Sequence, residues 1–223
     1  MLQFNSAIAQ RDVPLNLANY DKQVIHFGFL IGINTTDFKV KRVGQFNSLD
    51  SLFVLEAVKQ SGFDLQIVSN WHINDHFDLR FLPGLAFAQR DLEYTFYHQG
   101  VEQGVTTKPI ESTFLKFPVD LKFKSNRIGN YRVFVTGGFQ YAIDMVSQAK
   151  VKNEDAEFVK LQRHDYGYTI GAGFDFYMSM FKFSPAIKMY QGVRNLIVDD
   201  PLIFSSSIDR LNSRIFEISF TFE

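Results

Sequence analysis

Bulky apolar residues stand at every second position through most of this chain, and this alternation is the feature that most limits its possible folds. Near the N-terminus, small or polar residues separate Ile25, Phe27, Phe29, Ile31 and Ile33. A period of two places all the bulky side chains on one face of an extended strand. The segment therefore predicts a β-strand with one continuous apolar face.

The same alternation returns in seven further segments. They lie at 63–72, 77–87, 115–124, 131–144, 166–176, 181–189 and 216–222. Most reach the ~10 residues that a tilted membrane-spanning strand needs, whereas strands of soluble proteins average ~5–6. The links alternate in length. They are short at 74–75, 125–130 and 178–180, and long at about 41–59, 99–110, 150–163 and 197–210. This rhythm predicts an all-β fold, an eight-stranded antiparallel up-and-down transmembrane β-barrel of the outer membrane.

The composition of the two faces indicates which one points outward. The chain has 25 Phe, 9 Tyr and 1 Trp, which make one face too bulky to fill a barrel of about eight strands. The other face carries small residues and charges of both signs. On a lipid-facing surface, each Lys or Arg near the middle of the bilayer would cost about 2–4 kcal/mol. A soluble lipocalin, with its apolar face inward, is therefore disfavoured.

Two sets of side chains follow from this orientation. The inward set is predicted to be a structural network of polar and ion-paired residues. Its members are His26, Asp64, Arg80, Lys116, Asp120, Lys122, Arg132, Asp144, Asp175, Lys182, Lys188 and Glu217. The second set is predicted to form an aromatic girdle beside the short turns. Its members are Trp71, Phe77, Tyr131, Phe176, Tyr177, Phe181 and Phe222.

Charge and motif spacing exclude several classes of function. Lys plus Arg number 23 and Asp plus Glu 24, so no nucleic-acid partner is expected. Cysteine is absent, which excludes disulfides and thiolate sites. None of the five histidines precedes a serine by two positions, so the His-x-Ser pair of membrane-embedded hydrolases is missing. The polar stretch His72–His76 is interpreted as a hairpin turn. We therefore predict no catalytic, cofactor or metal site and no enzyme activity.

Three segments are predicted along the chain. Residues 1–9 contain an A-x-A-like site at Ala7 and Ala9 and are interpreted as a signal-peptide remnant. Residues 10–23 lack alternation and are expected to be an extended periplasmic strip, disordered until bound. Residues 24–223 form the barrel. An even strand count places both termini and the short turns in the periplasm and the long loops outside the cell.

Seven motifs resemble, in the same order, the PorT family of outer-membrane proteins of the type IX (Por) secretion system. They are Asn19–Asp21, His26–Phe29, Phe77–Leu85, Glu111–Pro118, Phe174–Tyr177, Phe181–Lys188 and Ser207–Glu223. The resemblance implies a role in secreting cargo with a C-terminal signal, and in motility in gliding relatives. It supplies no catalytic residues. It implies that other secretion components bind through the long loops, the lipid-facing surface or residues 10–23.

The expected width of the barrel limits this role. A barrel of about eight strands is filled by its own side chains and cannot conduct folded cargo. The resemblance therefore implies an accessory or assembly component. A structural or adhesive small barrel, similar to the OmpX type and without a secretion role, remains the alternative.

Overall fold

The computed structural model describes residues 14–42, 52–98, 101–146, 161–198 and 208–223. These residues form one short 3-10 helix, η1, and nine strands. Their bounds are η1 Tyr20–Lys22, β1 Ile25–Arg42, β2 Leu52–His72, β3 Phe77–Phe81, β4 Gly84–His98, β5 Val101–Lys124, β6 Tyr131–Asp144, β7 His164–Tyr177, β8 Lys182–Gly192 and β9 Ile208–Phe222. The predicted signal-peptide remnant at 1–9 lies outside the described residues, as do residues 10–13. Parts of the four predicted long links also lie outside them, at 43–51, 99–100, 147–160 and 199–207.

The strands close into a ring of eight barrel strands in which every neighbour is antiparallel. β9, β8, β7, β6 and β5 follow β1 in order, and β2 pairs back with β1. β3 and β4 count as one barrel strand, because both pair with β2 on one side and with β5 on the other. The predicted eight-stranded antiparallel up-and-down barrel is confirmed.

A proline interrupts the barrel strand that β3 and β4 form. Pro83 has no N–H to donate, and strand pairing stops at Leu82 and Pro83. The Pro83 carbonyl still accepts a hydrogen bond from the Ile67 N–H at 2.9 Å. Leu82 keeps the inward orientation and is 1% exposed. The alternation therefore continues across the break, which explains why the sequence indicated one strand.

The ring has two different ends. The links 73–76, 125–130 and 178–181 lie at one end with both ends of the described barrel, and we call it the turn end. The opposite end, reached by β4 and β5, is the hairpin end. Within the described residues, no helix is long and apolar enough to cross a membrane.

In two links predicted as long loops, at 41–59 and 99–110, the described residues are strand, which corrects the prediction for those residues. β2 begins at Leu52, and His98 of β4 pairs with Val101 of β5. Val and Thr are frequent between 101 and 107 and favour extended backbone. Lys, Gly and Pro among them obscure the alternation. Because β5 pairs with β6 only from Phe114 onward, the hairpin of β4 and β5 extends past the neighbouring strand.

Candidate functional site

The candidate site is the interior of the barrel, which is lined by charges that water does not reach. Strand alternation turns the twelve predicted network residues toward the interior. Eleven of them are buried, and the Lys188 side chain is 10% exposed. In a water-filled pore, water would hydrate these charges. Without water, ionised groups are costly to bury unless they are paired. The interior is closed to solvent at these positions.

The most deeply buried ion pair joins β5 to β7. Lys122 Nζ lies 2.8 Å from both carboxylate oxygens of Asp175. Ser184 Oγ on β8 donates a hydrogen bond to Asp175 at 2.6 Å. The same ammonium group lies 3.8 Å from the centre of the Phe134 ring on β6. One cluster therefore connects four consecutive barrel strands through the interior.

A second cluster links strands on opposite sides of the ring. Lys116 on β5 forms ion pairs with Asp64 on β2 and with Glu217 on β9, the latter at 3.1 Å. Asn34 Nδ2 on β1 donates to Asp64 at 2.7 Å. All four side chains are buried. One ammonium group therefore lies between two carboxylates and reduces their mutual repulsion in the interior.

Lys188, Asp120 and Asp144 of the predicted set have further polar partners. Lys188 Nζ pairs with Asp120 at 2.7 Å, and Thr169 donates to the same carboxylate at 2.7 Å. Ser112 Oγ donates to Asp144 at 2.8 Å toward the hairpin end.

Sequence reasoning missed an ion pair at the turn end. Lys182 Nζ lies 2.5 Å from Glu223, whose side chain is 0% exposed, and Arg80 lies 3.5 Å from the same carboxylate. Glu223 keeps the inward parity of Glu217 along β9. Counting the alternation one residue past Phe222 would have found it.

A second missed group lies beside it. Asp78 Oδ1 contacts Lys124 Nζ at 2.6 Å and His72 Nδ1 at 2.9 Å. The His72 ring is therefore held by polar contacts with Asp78 and Lys124. Within the described residues, no group of three or more His, Asp or Glu side chains is arranged to hold a metal ion.

The N-terminal segment, which we define as residues 14–24, closes over the turn end. Asn16 donates from its side chain to the Tyr177 carbonyl at 2.9 Å, and its N–H donates to Asn130 Oδ1 at 2.9 Å. Arg127 donates to the Asn16 carbonyl. The segment forms turns and η1 against the barrel, so the expectation of an extended or disordered strip is wrong for this part of 10–23.

Two side chains anchor the segment inside the opening of the barrel at the turn end, which we call the mouth. Asp21 pairs with Arg132 at 2.6 Å. The Tyr20 ring stacks on His26 at 3.9 Å between ring centres, and the Tyr20 carbonyl lies 2.8 Å from His26 Nε2. Burial holds the pKa of the Tyr20 hydroxyl above its ordinary value, so the hydroxyl stays protonated. An ion pair, a hydrogen bond and a stacked ring pair therefore join the segment to the barrel.

Tyr177 belongs to this mouth, which corrects its assignment to the aromatic girdle. It is 2% exposed, its hydroxyl donates to Asp21 at 3.3 Å, and Arg127 stacks over its ring at 3.7 Å. Tyr177 shares the parity of Asp175 and therefore points inward. The other six girdle residues lie on the outward face, and their role at a membrane interface stays a prediction. Trp71, Tyr131, Phe176 and Phe181 are exposed, and Phe77 and Phe222 are partly exposed.

A family comparison identifies the type of barrel. The profile described as "Outer membrane protein beta-barrel domain" matches residues 9–198, most of the chain. The chain belongs to this outer-membrane β-barrel family. Its apolar outward face is therefore the surface that contacts membrane lipid, and the protein is integral to the outer membrane. No curated protein matches the sequence.

Several solved small barrels are similar in shape at low identity. Neisserial surface protein A is 9% identical over 89% of this chain and 98% of that chain, with a TM-score of 0.44. OprG from Pseudomonas aeruginosa is 14% identical over 89% of this chain and 91% of that chain, with a TM-score of 0.44. Ail of Yersinia pestis is 12% identical over 90% and 98%, with a TM-score of 0.38. These likenesses add no argument about function.

Proposed function

We propose that this outer-membrane barrel is a non-enzymatic accessory or assembly component of type IX protein secretion, with a role in motility in gliding relatives. The ordered series of PorT-like motifs between Asn16 and Glu223 carries this proposal. Most of these motifs meet at the turn end of the folded chain. Asn19–Asp21 lies in the mouth, and Phe174–Tyr177 ends β7 beside it. Glu111–Pro118 lies on β5 toward the hairpin end, and the last motif runs along β9.

The closed interior supports an accessory role. Lys116, Lys122 and Asp120 are 2%, 0% and 1% exposed, and the N-terminal segment covers the turn end. A folded cargo protein has no path through this ring. The barrel would therefore act through its surfaces on other secretion components.

The proposed orientation follows the rhythm of the links. The turn end and both termini lie in the periplasm, and the hairpin end faces the outside. Partners would bind at the hairpin end, at the lipid-facing wall or around residues 10–23. Because residues 14–23 already dock on the barrel, a partner would recognise this folded mouth. Deleting 10–23 should then reduce the recovery of secretion components in a pull-down, and unchanged recovery would argue against this surface.

A clean deletion with complementation tests the function. Proteins with the C-terminal sorting signal should vanish from the culture supernatant and accumulate in the periplasm, and the full chain supplied in trans should restore them. Levels of unrelated outer-membrane proteins control for general envelope damage. An unchanged set of secreted proteins would refute the secretion role and favour the structural or adhesive alternative.

A further inference from the structure

The outward face of the barrel carries a groove. The outer wall of a ring of eight strands is expected to be convex. Here a concavity of about 990 Å³ runs across β6, β7 and β8, between β5 on one side and β9 with β1 on the other. Its outward side chains belong to the same surface as the lipid-facing side chains, and they alternate with Thr136, Lys188 and Glu217, whose side chains point toward the interior.

Two small residues form the floor of this groove. Gly137 on β6 and Ala172 on β7 both point outward, and they lie beside the paired positions Ile170 and Val135. A Cβ atom added at Gly137 would meet nothing within 4 Å. No side chain therefore projects from the wall at Gly137, and the space outside it is open.

Large apolar side chains form the two rims. Leu121 and Phe123 rise from β5, and Phe216 and Ile218 rise from β9. Between 44% and 53% of each side chain is exposed. A smaller concavity of about 440 Å³ continues the groove along Val133, Phe174 and Pro185 toward the turn end. None of these outward side chains carries a charge or a hydrogen-bonding group.

We propose that the groove holds one acyl chain of a phospholipid and retains that lipid during purification. The groove is continuous with the lipid-facing wall, so hydrocarbon is what reaches it. Its volume lies within the ~300–1,000 Å³ typical of ligand sites. Its outward side chains are apolar except for Thr35, so they offer mainly dispersion contacts. A peptide would need partners for its backbone groups, which these side chains do not provide.

The position of the groove along the strands indicates which leaflet of the membrane the bound lipid comes from. β6 begins at Tyr131 and β7 ends at Tyr177, so Val133 and Phe174 lie within a few residues of the turn end. From there the groove runs toward the middle of the strands at Gly137 and Ile170. An acyl chain entering at the turn end therefore comes from the leaflet on that side, with its headgroup near the turns.

Native mass spectrometry of the purified barrel tests retention. After extensive washing in mild detergent, the wild-type barrel should keep one phospholipid per chain. Ala172→Phe, which fills the floor, should reduce the bound fraction at least tenfold. Ile67→Phe is the matched control, because Ile67 is 63% exposed on β2, outside the groove. Equal retention by both variants, no retained lipid in the wild type, or a retained lipid A would each overturn the proposal.

A second measurement uses the unaltered chain, in case Ala172→Phe does not fold. Phosphatidylethanolamine with a diazirine at the end of one acyl chain is incorporated into vesicles with the wild-type barrel and photolysed. Labelling should concentrate on Val135, Ala172 and Ile187. Even labelling around the ring would refute a retained chain. So would a photo-crosslinker at Ala172 that captures a protein segment instead of lipid in native membranes.

Discussion

Replacing Lys122 by methionine should destabilise the barrel strongly, because it leaves a buried carboxylate without its cation. Lys122 and Asp175 are 0% and 1% exposed, and the ammonium lies 2.8 Å from both carboxylate oxygens. Ser184 would remain as the hydrogen-bond donor. Removing one partner of such a pair costs about 3–5 kcal/mol, or roughly two to four powers of ten in the unfolding equilibrium constant. Asp175→Leu in the same chain should recover at least half of this loss, because no unpaired charge remains.

A matched control separates burial from charge removal. Lys41 pairs with Asp209 at the same 2.8 Å, but the two side chains are 73% and 49% exposed. Lys41→Met should therefore cost at most about 1 kcal/mol. Urea unfolding in lipid vesicles, followed by the fluorescence of Trp71, measures both variants. Equal losses for Lys41→Met and Lys122→Met would refute the claim that the interior pair is dry.

Three further outcomes are expected. Gly138→Ala would place a Cβ 2.2 Å from a backbone oxygen of β5 and should cost about 1–3 kcal/mol, whereas Gly137→Ala points into open space and should change stability by less than about 1 kcal/mol; urea midpoints that do not differ would contradict this. Asp21→Asn removes the ion pair with Arg132 and should make a protease cut the N-terminal segment several-fold faster, with the barrel left intact; an unchanged cleavage rate would show that this pair does not hold the segment. In planar bilayers the purified barrel should show no porin-like conductance steps, and sustained steps would show that the interior opens.

The alternation in the sequence was enough to predict the ring, its inside and its outside. Register in an antiparallel barrel preserves parity, so every residue two positions from Asp175 faces the same side. Tyr177 follows this rule, and its assignment to the girdle failed because it was grouped with its neighbour Phe176 by distance along the chain. Glu223 and Lys124 follow the rule as well and were missed at strand ends.

The partners across the interior could not be predicted in the same way. Parity indicates that Lys116 points inward, but the tilt of the strands decides that it meets Asp64 and Glu217. The docking of the N-terminal segment depends on contacts between residues more than one hundred positions apart, such as Asn16 with Asn130. The groove at Ala172 is a property of the curvature of the wall, which no local pattern encodes.

The two glutamates of β9 make the interior depend on completion of the ring. Glu217 pairs with Lys116, which Asp64 on β2 also contacts, and Glu223 neutralises Lys182 on β8. A chain in which β9 has not joined β1 and β8 would leave the edges of those two strands unpaired and would leave Lys182 without its carboxylate partner. Such an intermediate would be less stable and more readily cleaved by proteases. The ion pairs of these two glutamates would therefore make resistance to proteolysis depend on closure of the ring.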